Sequence, residues 1–138
     1  VTPSPKAYSD SPDAEPLTLL DQQDWTQDMI FFGHMADQIA GVVLGKGIML
    51  RIARNIDWPF SATFGPDHVL TVNLGRVGHG FFKGKGTERQ LALLLHEFAH
   101  GKVSDHLSRE FADEVARLGA RLAKAVASRQ VVISDEDV

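Results

Sequence analysis

Three histidines and a glutamate carry the chemistry this chain offers: His96, Glu97, His100 and His106. On a helix, residues four apart project from one face, one turn above the other, so His96 and His100 can turn two ring nitrogens toward a common point. Zinc sits about 2.0–2.1 Å from an imidazole nitrogen, a reach that this spacing allows. Glu97 lies next to the first ligand and roughly 100° around the helix from it. Its carboxylate can therefore address a metal-bound water without binding the metal. His-Glu-x-x-His on a helix is the arrangement of zinc metallopeptidases, two ligands and a general base.

Catalytic zinc takes three protein ligands and keeps a fourth position for water. His106 is the leading third ligand, because a chain reversal at Gly101 would let a short connection bring it back to the metal. Glu110, Asp113 and Glu114 compete with it: from the helix that follows, any of them would complete a set of two histidines and a carboxylate. Asp105, if it does not ligate, is placed to orient a ring nitrogen from behind.

These residues need a helix, and the sequence supplies one. Thr87-Glu88-Arg89-Gln90 fits a capping box, and Leu91, Leu94, Leu95 and Phe98 form an apolar stripe at helical spacing. Gly101 is placed to end the helix. A second helix is expected from Ser108 to Ala127, capped by Ser108, with Phe111, Val115, Leu118, Leu122 and Ala125 inward. A third lies upstream, from Thr26 to Val43, and Gly45 and Gly47 stop it.

Between them, segments 48–56, 60–64 and 68–74 read as strands, the last two forming a hairpin around Gly65-Pro66-Asp67. Gly75 to Gly86 reads as a flexible loop, with Phe81 and Phe82 as core plugs. No Gly-Lys-Ser/Thr element closes it, which disfavours a nucleotide site. His34 reads as a structural histidine and His68 as an exposed one. The expected class is α+β: a small, mostly antiparallel sheet of three or four strands with helices packed on it.

A chain of 138 residues is one domain. Four of its six prolines fall in residues 1–16, read as a disordered linker or tail; 17–128 is the expected folded domain and 129–138 an acidic tail. The absence of cysteine excludes disulfides, thiolate-bound zinc and a thiol nucleophile. A net charge of −4 disfavours nucleic acid as a partner. No apolar run approaches a membrane span, so no membrane partner is expected. The N-terminus carries no signal pattern, which points to the cytoplasm, although a chain that begins at Val1 reads as excised or processed.

The stretch His96-Glu97-Phe98-Ala99-His100-Gly101-Lys102-Val103-Ser104-Asp105-His106 resembles the extended zinc motif of the metzincin metallopeptidases, whose third histidine has this spacing. Val103 stands where that motif has glycine, and Met49 is the last methionine, so the resemblance implies a minimal zincin-like domain. Ile48 to Leu122 is also similar to a metallopeptidase-like segment attached to bacterial histidine-kinase-type ATP-binding proteins. Phe60-Ser61-Ala62-Thr63-Phe64-Gly65, Leu70-Thr71-Val72-Asn73, Leu94-Leu95-His96-Glu97-Phe98, Asp105-His106-Leu107-Ser108 and Arg117-Leu118-Gly119-Ala120 carry that similarity. It implies that the chain is the end piece of a larger protein.

The function expected is that of a zinc metallopeptidase, with one Zn²⁺ per chain held by His96, His100 and His106 and a peptide or protein as substrate. Glu97 would take the proton of the zinc-bound water and hand it to the leaving amine. The strand at Val69 to Leu74 would align an extended substrate along an exposed edge. His79, Arg76 and Arg109 are the candidates for stabilising the oxyanion, since the only tyrosine is Tyr8. A zinc-stabilised interaction or regulatory module without activity is the alternative, and a metal-free helical domain the third reading.

Overall fold

The computed structural model describes residues 17–103, 105 and 107–133. The expected N-terminal tail with Tyr8, the end of the acidic tail, Ser104 and His106 lie outside the described residues. The order is helix α1 (Gln27–Leu44), strands β1 (Met49–Ala53), β2 (Ala62–Phe64) and β3 (Val69–Asn73), a short helix α2 (Leu74–Val77), then α3 (Glu88–His100) and α4 (Arg109–Ala127). This is the α+β architecture that the sequence predicts.

Each long helix starts where a side chain takes up an otherwise unpaired amide. Thr26 accepts from the Met29 amide, Thr87 from that of Gln90, and Ser108 from that of Phe111, at 3.1–3.2 Å. The C-terminus of α1 closes on Gly45, whose φ of 80° suits a residue without Cβ. The Arg121 guanidinium, reaching from α4, donates to the Val43 carbonyl at 2.9 Å. A cation there also meets the negative end of the helix dipole.

The sheet has the order β1-β3-β2. β1 runs parallel to β3, Met49 opposite Val69, and β2 antiparallel to it, Ala62 opposite Val72. The sheet is thus mixed where a mostly antiparallel one was expected, because β1 reaches β3 only after the chain has crossed to lay down β2. With β3 in the middle, an extended substrate cannot pair along Val69 to Leu74. The edge nearest α3 belongs to β2.

Asn73 anchors the crossover. Its buried amide donates to the carbonyls of Asn55 at 2.7 Å and Phe60 at 3.2 Å, and its oxygen accepts from the amides of Asn55 and Gly75. Ala62 to Phe64 alone keeps strand geometry in the expected segment 60–64, since the Phe60 carbonyl is spent on Asn73.

The stretch from Gly75 to Gly86 is more ordered in shape than a flexible loop. It opens on α2, makes a 3₁₀ turn at His79–Phe82, and buries Phe81 and Phe82 against Phe32 of α1 in edge-to-face contacts at 5.4 Å. Gln90, fully buried in the first turn of α3, donates to the Phe81 and Gly84 carbonyls and accepts from the Gly86 amide. The packed body also runs past α4: Val131 is buried, and a Cβ at Gly86 would strike the Ile133 carbonyl. Of the expected tail 129–138, Arg129 and Gln130 are exposed, and Val131 and Ile133 pack against the core.

Candidate metal centre

Helix α3 lies between β2 on one side and α4 on another. Leu94, Phe98 and Ala99 face the core, and His96, Glu97 and His100 sit at its border, each partly buried. The predicted 3.6-residue logic holds: the two imidazoles come to the same place, with Nε2 of His96 3.1 Å from Nε2 of His100. Two nitrogens bound to one tetrahedral zinc stand about 3.3 Å apart, given bonds of about 2.0–2.1 Å.

The tautomer of His100 is set by its other nitrogen. Nδ1 lies 3.2 Å from the Val103 carbonyl, which can only accept. Nδ1 therefore carries the proton in the neutral ring, and the Nε2 lone pair faces Nε2 of His96. The Val103 carbonyl arrives there because the chain folds back at once after α3, with the Lys102 and Val103 amides both donating to the Ala99 carbonyl.

Gly101 stands at this reversal, though not for the reason its position in the sequence suggests. Its φ of −61° is right-handed, so no left-handed cap is formed. A Cβ here would lie 3.1 Å from the Phe64 ring at the end of β2. The glycine is a close-approach residue that lets α3 dock on the edge strand.

The third wall is Phe111, from the first turn of α4. Its ring centroid lies 4.6 Å from that of His100 and 5.1 Å from that of His96. Sequence reasoning placed Phe111 in the core stripe and missed that contact; nothing in helical periodicity reveals which residues an inward side chain meets. Neither was the Val103 carbonyl visible, since a backbone acceptor has no sequence signature.

Glu97 is partly buried, and loss of water around its carboxyl pushes its pKa up to about 8. A nearby divalent cation would act in the opposite sense and favour the carboxylate.

Among the described residues, no third histidine, aspartate or glutamate joins the pair. Glu110 and Asp113 are exposed on α4. Glu114 is buried, but both its oxygens are held by Arg117, at 2.9 and 2.6 Å, which lowers its pKa. The three carboxylate rivals are thus elsewhere, whereas His106 is outside the described residues. Asp105 uses its carboxylate to accept from the Leu107 amide in its own turn.

Of the oxyanion candidates, Arg76 is committed to the Trp58 and Pro59 carbonyls, and His79 is exposed in its 3₁₀ turn. Arg109 lines a shallow cleft of about 460 Å³ with Lys102, Val103, Asp105, Ser108 and Glu110. His34 is exposed. His68 is not: half-buried at the hairpin corner with a φ of 61°, it contacts the Gly47 carbonyl through Nδ1 and the Phe64 ring edge-on.

No family model, curated protein or solved structure matches the chain. No helix among the described residues is long and apolar enough to cross a membrane.

Proposed function

We propose that the protein is a zinc-dependent hydrolase acting on peptide bonds. The observation that carries this reading is the convergence of the His96 and His100 Nε2 atoms at 3.1 Å on one capped helix, with Glu97 beside them. His106 is the third ligand in this reading. Its support is the metal-like spacing in the sequence, together with the course of the chain. On either side of that connection, His100 and Phe111 are in ring contact.

Bound zinc would supply Lewis-acid polarisation of the scissile carbonyl and an acidified water. The chain's own residues divide the remaining work. His100 is held in the ligating tautomer by Val103. Glu97 takes the proton from the attacking water and returns it to the leaving nitrogen. β2, the sheet edge packed on α3, offers the backbone groups along which an extended peptide can lie.

The test is metal content and turnover together. Dialysed wild-type protein is expected to hold one zinc per chain, which His96→Ala and His106→Ala lose. It is expected to cleave fluorescently labelled casein, and Glu97→Gln to keep the zinc while abolishing cleavage. Turnover retained in Glu97→Gln removes Glu97 as the base. Zinc that excludes an added hydroxamate marks a closed, structural site and the non-catalytic module instead.

A further inference from the structure

The two imidazoles share a neighbour that no ligand motif contains. Phe111 is 6% exposed, and its ring meets both His96 and His100, which themselves meet at 4.7 Å and 80°. The three rings form a closed set in which each touches the other two. Rotation about the last torsion of a histidine is soft, with broad minima, so the backbone alone does not aim a ring nitrogen. A flat ring packed against both imidazoles supplies that restraint. Neither can turn without closing on Phe111 or opening a gap beside it, and a gap of even half an ångström forfeits much of the contact energy.

Phe111 is itself well held, because Ser108 accepts its amide and fixes the first turn of α4. It offers no donor or acceptor to compete for a cation, and it keeps one flank of the pair dry, which strengthens charge interactions there.

We propose that Phe111 is the positioning residue of this centre, the wall against which α4 holds the two imidazoles so that both Nε2 atoms address one metal ion. The proposal rests on the zinc reading above. It predicts a loss confined to the metal, because Phe111→Leu keeps an apolar side chain in the core and removes only the flat face.

Co²⁺ is the probe, titrated into metal-free protein against a chromophoric chelator, with its visible absorption recorded. Phe111→Leu is expected to bind Co²⁺ at least about tenfold more weakly than wild type and with an altered band, and Phe111→Tyr to restore both. Leu122→Ala, a cavity three turns along the same buried face, is expected to lower thermal stability more while leaving Co²⁺ affinity and spectrum unchanged. Wild-type affinity and spectrum in Phe111→Leu would overturn the proposal. So would an equal loss in Leu122→Ala, which would reduce the effect to general stability. Wild-type protein that takes up neither Co²⁺ nor Zn²⁺ overturns the zinc reading itself, a result seen before any variant is compared.

Discussion

Glu97 is the residue on which chemistry and stability pull apart. Burial raises its pKa from 4.5 to about 8, so without a metal the folded chain prefers it protonated. The sign follows: its contribution to stability is fully present below the ordinary carboxylate range and is lost as the pH rises through about 8. In chelator-treated protein, Glu97→Gln is expected to raise the melting temperature above pH 8 by several degrees, about 1–2 kcal/mol after discounting for partial exposure. Near pH 4.5 the two proteins should melt together. A melting difference that does not change with pH would remove desolvation of this carboxyl as the cause. The residue proposed as the base is thus held at a cost to the metal-free fold, as is common where groups are placed for reaction.

At the scale of elements, the join between α3 and β2 is the sensitive one. Gly101→Ala replaces glycine by the best helix former at a right-handed position, which by propensity alone would stabilise. The new methyl group, however, lies 3.1 Å from Phe64, whose ring is wedged edge-on between Phe98 and His68 and has little room to yield. Overpacking should win, with a net loss of about 1 kcal/mol in urea unfolding and recovery in the Gly101→Ala, Phe64→Leu double variant. A gain in stability from the single substitution would show that the ring can move. At the start of α4, Ser108→Ala should cost about 1 kcal/mol, the ordinary value of an N-cap, measured by the same unfolding curve.

The whole molecule depends on contacts that tie its distant segments together. Asn73 fills four hydrogen-bonding roles in a fully buried place, holding the crossover between β1 and β2 to the end of β3. Asn73→Ala removes all four of these hydrogen bonds from the crossover at once and should cost about 3 kcal/mol or more in thermal unfolding. Gly86→Ala should be at least as damaging, at about 2–4 kcal/mol, since φ is 65° and a Cβ would run into the Ile133 backbone. A mild effect at Gly86 would mean that the segment after α4 can lift away without loss.

The sequence by itself determined what is local. Thr26, Thr87 and Ser108 begin helices because a side-chain oxygen three residues from an amide can reach it whatever the rest of the chain does. His96 and His100 converge because four residues make about one turn. The α+β class followed from helical and alternating periodicities that each segment carries within itself. Everything decided by residues far apart in the chain waited for the tertiary structure. β3 is central because β1 and β2 both pair with it, which no strand pattern states. Gly101 is small because Phe64 is there, and Glu114 stands paired with Arg117, which holds both its oxygens. Phe111 stands against the histidines because α4 returns across α3, and that return is a matter of packing, which depends on surfaces meeting and not on spacing along the chain.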